Sequence, residues 1–423
     1  MRRVAIEPRE NHEELVQRHG LVFSTIPRPD GSQHRYWHED HCYLFSPAEI
    51  SALHTATAQL LDLYEQATEH VIREERFEEI SVPDWAVEGV VASWRQRDPT
   101  VYGRMDFAFA GDTPKLLEFN ADTPAMLLES GFVQYNWFCD IRSRDATQHG
   151  QWNQVHDLLV DRWAALREQR IGSAPVHFAH DFVETSGETW MTVAYMAMLA
   201  RQAGLDPRII QIEQLLWEDG RGFVDVEGVS IEHLYNLYPW DWLLYEEHHT
   251  DGDFALRSIA PGPLCTGWYE PLWKIMWSSK GMLAILCELF GERSPYLLAA
   301  YNDGPRELTE WASKPHHSYE GANIAIVSRD GDVQTPGDFG EEDRVWQAYS
   351  PLGDFDGNHP TVSSWVVGDL PGGLCVREND GLIVDLYSRF VPHLIELGAS
   401  AGETGRVERA QEPPELEDLA LTA

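Results

Sequence analysis

The chain has 423 residues, 43% of them apolar, with 69 acidic against 32 basic side chains and a net charge of −37. That is enough chain for one large domain or two to three ordinary ones with a substantial core. A field this negative excludes a broad nucleic-acid-binding face and would steer polycationic ligands inward. No run approaches the roughly eighteen apolar residues of a membrane-spanning helix, and Met1-Arg-Arg leads into Glu7-Pro-Arg-Glu10 without the apolar core of a signal peptide. Cys42, Cys139, Cys265, Cys287 and Cys375 stand singly, with no Cys-x-x-Cys pair. Such spacing argues for buried thiols in a reducing cytoplasm and against a disulfide framework or zinc ribbon.

Residues 1–45 are polar, rich in Pro and His, and predict an irregular N-terminal segment. Apolar residues then recur at helical spacing from Ile50 to Ala67, so a long helix begins beside Ser46, a good cap. Val82-Pro-Asp-Trp-Ala86 reads as a short helix, and Tyr102–Ala110 and Lys115–Asn120 read as strands around Gly111-Asp-Thr113. A strand–helix–strand rhythm follows, with helices over Trp152–Gln169 and Trp190–Gly204 and strands at Val176–Ala179 and Arg208–Glu213. This is the signature of an inserted α/β layer spanning about residues 150–260. Trp268–Phe290 reads as mostly helix. Asn323–Ser328, Val345–Tyr349, Ser363–Val367 and Gly373–Arg377 read as short strands, and 401–423 as an acidic disordered tail.

Only four of the 32 basic residues are lysines: Lys115, Lys274, Lys280 and Lys314. In so arginine-rich a chain, a retained lysine marks a place where a compact ammonium serves better than a guanidinium fork, which singles out Lys274 and Lys314.

The two strands before residue 121 carry the clearest chemistry. With an odd-numbered loop centred on Asp112, facing positions sum to 224, so Asp106 lies opposite Glu118 and Arg104 opposite Asn120, all on one face. Met105, Phe107, Phe109, Leu117 and Phe119 then form the core face. Two carboxylates and an amide oxygen on rigid strands suit a hard divalent cation, Mg²⁺ above all. A structural salt-bridge cluster is the plain alternative, and a two-residue loop would slip the register and separate the set. Lys314-Pro-His-His-Ser-Tyr-Glu-Gly-Ala-Asn323, running into Ile324-Ala-Ile-Val327, has the makings of a phosphate-covering loop, although no P-loop motif occurs in the chain. Asp181 and Glu184, between a strand and a helix, offer either an amine-binding acidic patch or a capping loop. His38-Glu-Asp-His41-Cys42 has metal-binding residue types in a crowded arrangement, and Tyr238–Tyr245 is an aromatic run suited to packing or to stacking on sugars.

Taken in order, Arg104-x-Asp106, Leu117-Glu-Phe-Asn-Ala-Asp-Thr-Pro124, Trp273-Lys274, Lys314-Pro-x-x-Ser-x-Glu-Gly-Ala-Asn323, Ser364-Trp-Val-Val-Gly368, Gly372-Gly-x-x-x-Arg377-Glu378 and Ser388-Arg-Phe-Val-Pro-His393 resemble the glutathionylspermidine synthase family, from roughly residue 30 to 395. The resemblance implies an α+β or α/β chain with an ATP-grasp fold and a pre-grasp α/β layer, the synthetase-like domain occupying 46–400 without the amidase domain of bifunctional members. It implies an ADP-forming ligase that joins a small-molecule carboxylate to a polyamine-like amine through an acyl phosphate. Asp106, Glu118 and Asn120 would then ligate Mg²⁺. Lys274 and Lys314 would contact the phosphates of ATP, Glu320 and Gly321 would lie in the covering loop, and Gln347 would sit at the adenine hinge. Arg104 and Arg377 would stabilise the acyl phosphate.

This chain departs from the family pattern in two places. The family loop reads Ser-Arg-Glu-Gly where Tyr319 stands here, and Thr123 and Ala125 replace serines found in glutathione-using members. Both departures point away from glutathione as acyl donor. Two other readings of the same residues are a nucleotide-binding regulatory protein of weakened activity and a carbohydrate-active hydrolase using paired carboxylates.

Overall fold

The computed structural model describes residues 1–28, 30–144, 149–181, 186–249, 252–262, 264–340 and 342–397. Its architecture is mixed α/β, organised around two five-stranded and two four-stranded sheets. Helix Pro47–Glu74 starts where the cap predicts. Ser46 Oγ accepts from the Glu49 amide at 3.3 Å and the Glu49 carboxylate accepts from the Ser46 amide at 2.7 Å, which is a capping box. The buried stripe of this helix, from Leu53 through Leu60 and Tyr64 to Val71, lies against the central sheet. There Tyr64 meets Phe119 edge-on at 5.1 Å and Thr57 Oγ1 donates to Ser364 Oγ at 2.8 Å.

That central sheet is antiparallel, in the order Arg389–Val391, Leu370–Asn379, His359–Val367, Tyr102–Ala108, Lys115–Asn120. A second antiparallel sheet runs Ala300–Tyr301, Arg344–Ala348, Trp311–Pro315, Ala325–Val327, Val333–Gln334. Lys314 therefore sits on a strand rather than at the head of a loop. The inserted layer is a parallel sheet, in the order Gly267–Tyr269, His233–Asn236, Pro175–His180, Asp206–Gln211. Helices Val155–Leu166 and Glu188–Gln202 belong to the same layer.

Residues 1–45 are more regular than their polarity predicts. Strand Arg2–Ala5 pairs with His41–Phe45, which pairs in parallel with His393–Glu396, so the two ends of the described chain meet in one small sheet. The pairing of His41–Phe45 with His393–Glu396 joins strands hundreds of residues apart, and local periodicity carries no trace of that. The expected helix over Trp268–Phe290 is broken into strand Gly267–Tyr269 and helices Lys274–Ser278 and Met282–Phe290. Pro271 and the turn through Lys280-Gly281 interrupt it.

Between the parallel and central sheets lies a buried joint. The Glu270 carboxylate accepts from the Val101 and Tyr102 amides at 2.8 and 2.9 Å and from Thr100 Oγ1 at 2.6 Å, with Lys274 Nζ 3.3 Å away. No helix among the described residues is long and apolar enough to cross a membrane.

Candidate active site

The predicted facing pairs occur at the business end of the hairpin: Arg104 faces Asn120 and Asp106 faces Glu118. Nearer the turn the register changes, because a bulge between Asp106 and Phe107 sets Phe107 against Leu116 and Ala108 against Lys115. The bulge exchanges two leucines. Leu116 is buried in the core with Met105 and Phe119, while Leu117, expected in that core, lines a cavity of about 330 Å³ between the central and second sheets.

Asp106, Glu118 and Asn120 share the cavity wall. Arg104 grips both oxygens of Asp106, from Nε at 2.8 Å and Nη2 at 3.0 Å, and its Nη1 donates to the Ala125 carbonyl at 2.7 Å. Arg377 Nη2 adds a contact to Asp106 Oδ2 at 3.2 Å. Asn120 Nδ2 reaches Asp106 and Glu118 at 3.4 and 3.3 Å. Burial pushes both carboxyls up. The Arg104 and Arg377 guanidiniums outweigh it at Asp106, and the Lys280 and Lys314 ammoniums at Glu118, so both rest below the ordinary carboxylate range. The site holds two ionised carboxylates whose charge is balanced by surrounding cations.

Two lysines face them. Lys314 Nζ donates to the Leu117 carbonyl at 2.8 Å and to Gln347 Oε1 at 3.0 Å. Burial lowers its pKa to about 8 against the opposing pull of Glu118. Lys280 Nζ lies 3.6 Å from Glu118 and donates to the Ser318 carbonyl at 2.9 Å. Lys274, expected on the phosphates, is outside the cavity. It is 1% exposed, donates to the Tyr102 and Ala121 carbonyls and pairs with Glu270 beneath the site. The residue that sequence reasoning passed over is Lys280, and its only signal was the scarcity of lysine. Gln347 lines the cavity, but its amide is engaged, Nε2 on the Leu116 carbonyl at 2.9 Å and Oε1 on Lys314.

The loop after Lys314 folds over this wall. Glu320 and Gly321 both line the cavity and both have positive φ, and a Cβ at Gly321 would run into the Val384 carbonyl, so glycine is required where the loop meets 382–384. Tyr319 is turned toward the inserted layer, its hydroxyl donating to Asp241 Oδ1 at 2.6 Å and its ring edge-on to Trp242 at 5.2 Å. Beyond Lys314 and Gln347 the lining becomes apolar, with Ile324, Ile326, Leu352 and Leu382.

The cavity is also lined by Thr123, Ala125, Asp181, Glu188, Thr192 and Trp242. Asp181 thus reaches the site, Glu184 lies outside the described residues, and Glu188 is an acid that the sequence reading did not select. The His38–Cys42 run is structural. Glu39 is taken by the buried Arg9 guanidinium and Cys42 is buried. Among the described residues no group of three or more His, Cys, Asp or Glu side chains forms a metal site.

The model of the family described as glutathionylspermidine synthase preATP-grasp matches residues 3–396. A Haemophilus influenzae protein assigned provisionally as an acid–amine ligase is 31% identical over 386 residues, 88% of this chain and 94% of that one. The trypanothione synthetase of Crithidia fasciculata is 26% identical over 81% of this chain, which spans 54% of that longer protein. Among solved structures, a glutathione synthetase-like effector from Globodera pallida superposes with a TM-score of 0.55 at 10% identity, covering 93% of this chain and 98% of that one, a likeness of fold alone. With a family model running nearly end to end and a relative of 31% identity over most of its length, the chain belongs to the glutathionylspermidine synthase preATP-grasp family.

Proposed function

We propose that this protein is an ATP- and Mg²⁺-dependent, ADP-forming ligase that joins a carboxylate to an amine, with the central and second sheets acting as the two halves of an ATP-grasp. The observation that carries the reading is the grouping of Asp106, Glu118 and Asn120 with Arg377, Lys280 and Lys314 on the walls of one cavity that also has an apolar lining of Ile324, Ile326 and Leu352. The apolar lining by Ile324, Ile326 and Leu352 suits a nucleotide base, and the two lysines suit its phosphates.

The donor set fits magnesium, since two ionised carboxylates and an amide supply hard oxygens, a half-turn of the Asn120 amide presenting its oxygen in place of its nitrogen. Bound there, the ion would neutralise charge on the phosphates. The chain's own residues do the rest. Arg104 fixes Asp106 bidentately. Arg377 is tied to Asp106 through one nitrogen and turns its remaining donors to the phosphoryl group in transfer. The substrate carboxylate attacks the γ-phosphorus and ADP departs. The amine, having given its ammonium proton to solvent, then attacks the acyl carbon. The amide forms, inorganic phosphate leaves, and the second amine proton departs with it. Positioning and charge compensation carry such a reaction more than acid–base chemistry does. Asp181 and Glu188, acids on the wall of the same cavity, suit the cationic form of the amine as it docks. The names of the two relatives support the same class of reaction, while Thr123, Ala125 and Tyr319 favour an acyl donor other than glutathione.

Calorimetric titration with a non-hydrolysable ATP analogue, with and without Mg²⁺, tests the reading. Saturable binding that needs both the metal and Glu118, judged against Glu118→Ala, is expected. A panel of carboxylate and amine pairs scored by ADP release then defines the substrates. Absence of binding by the unaltered protein would overturn the proposal.

A further inference from the structure

The edge strand Lys115–Asn120 of the central sheet is bridged to the second sheet by two side chains, Lys314 and Gln347. In a regular edge strand every second carbonyl points outward. Here two consecutive carbonyls do, because the bulge turns Leu117 as well as Leu116 toward the second sheet. Lys314 takes the Leu117 carbonyl and Gln347 takes the Leu116 carbonyl, and the two side chains meet through Gln347 Oε1. The orientation of this amide has one chemical solution. Its nitrogen must face the carbonyl and its oxygen the ammonium, since the flipped amide would set oxygen against oxygen and N–H against N–H. Gln347 is 2% exposed, so both bonds are shielded from water.

We propose that Gln347 is a positioning residue for the Lys314 ammonium and reads no part of the nucleotide base. Two of the three N–H groups of Lys314 are fixed by the Leu117 carbonyl and Gln347 Oε1, and the third is thereby aimed at a phosphate oxygen. The bulge is the backbone device that makes this possible, and Gln347 locks it against the second sheet. This inference rests on the nucleotide reading of the same cavity.

The test separates phosphate from base. With Mg²⁺ present, inorganic tripolyphosphate and non-hydrolysable analogues of ATP and GTP are titrated into the full chain and into Gln347→Met, a substitution close in volume. Loss of a hydrogen bond to a charged group predicts an affinity lower by about tenfold for tripolyphosphate and for the ATP analogue alike, with the ratio of ATP- to GTP-analogue affinity unchanged. In a Lys314→Met background the same substitution is expected to cost less than about twofold, because its effect passes through the lysine. Should Gln347→Met fail to fold, Gln347→Glu, which as the protonated acid can donate to the Leu116 carbonyl and accept from Lys314, is expected to leave the ATP-to-GTP ratio at its original value. A ratio that collapses in either variant, or tripolyphosphate affinity untouched in Gln347→Met, overturns the inference and leaves the nucleotide reading standing. Absence of any nucleotide binding by the unaltered protein overturns both.

Discussion

The hydroxyl of Tyr319, on the cavity wall, donates to Asp241 Oδ1, tying the loop over the site to helix Trp240–His249 of the inserted layer. Both partners are half-buried. Burial raises the Asp241 carboxyl above its ordinary range, and burial together with Asp241 keeps the Tyr319 phenol protonated. The loop is thus latched by a side chain that offers no cation to a ligand, and Lys280, bonded to the Ser318 carbonyl of the same loop, supplies the charge.

Tyr319→Phe removes the latch while keeping the ring against Trp242. Loss of a hydrogen bond to an acidic partner predicts nucleotide affinity weakened by roughly tenfold, carried mainly by faster dissociation, together with easier proteolysis within the loop. Stopped-flow release of a fluorescent ATP analogue measures the first and limited digestion the second. An unchanged dissociation rate would show that the latch does not hold the loop over bound nucleotide.

Lys274 and Lys280 should separate stability from binding. Lys274→Met leaves the fully buried Glu270 without its cation and is expected to destabilise the fold by about 3–5 kcal/mol, with little change in nucleotide affinity for the protein that remains folded. Lys280→Met leaves a half-open partner, Glu118, and is expected to lower thermal stability slightly while reducing affinity for the nucleotide at least tenfold. Thermal denaturation and calorimetry on both variants decide the matter, and a reversed pattern would return Lys274 to the phosphate site.

These two lysines also mark where the sequence is legible and where it is not. The facing of Asp106 with Glu118 follows from strand alternation and a loop centre, both local properties. The cap at Ser46 and the strand–helix–strand rhythm around Val176 and Trp190 are local too. Which of two lysines six residues apart enters the cavity depends on the break between helix Lys274–Ser278 and helix Met282–Phe290, a turn that periodicity does not resolve. The bulge is harder still, since Leu116 and Leu117 have the same side chain and only the backbone decides which is core. Glu188 and Trp242 reach the site through the packing of the inserted layer against the two larger sheets, a long-range relation with no signature in the residues themselves.

Arg104 is expected to be as much a scaffold as a ligand-binding group. It holds both oxygens of Asp106 and the Ala125 carbonyl, and a lysine ammonium cannot reproduce that fork. Arg104→Lys should lower stability by about 3 kcal/mol and weaken the Mg²⁺ dependence of nucleotide binding, as Asp106 loses its fixed orientation. Retention of both properties in the variant, measured by denaturant unfolding and by titration against Mg²⁺, would sink this role.

Acid lability should come from buried histidines before it comes from the carboxylates. His393 donates from Nδ1 to Gln134 Oε1 at 2.9 Å and accepts at Nε2 from the Trp152 amide at 3.3 Å, so the neutral ring is the form that fits and a second proton would face an N–H. Burial holds His393 down to about 3 and His316 and His317 down to about 4. In the unfolded chain each titrates near 6.5. Below that pH the unfolded chain binds protons that the folded one refuses, so stability falls as pH drops from about 6.5. Each histidine contributes a slope of about 1.4 kcal/mol per pH unit until its folded pKa is reached. Asp106 and Glu118 act with the same sign, but only below the ordinary carboxylate range. Carboxyls that burial raises, Glu247 to about 7 and Asp241 beside Tyr319, act in the opposite sense over the same window, so the histidine share is read by comparing denaturant unfolding of the unaltered protein and a histidine variant at pH 7.5, 6.0 and 5.0. His393→Gln, which can keep both hydrogen bonds without titrating, should flatten the slope by the share of one histidine. A pH dependence identical in His393→Gln and the unaltered protein would show that this ring does not stay neutral in the folded protein.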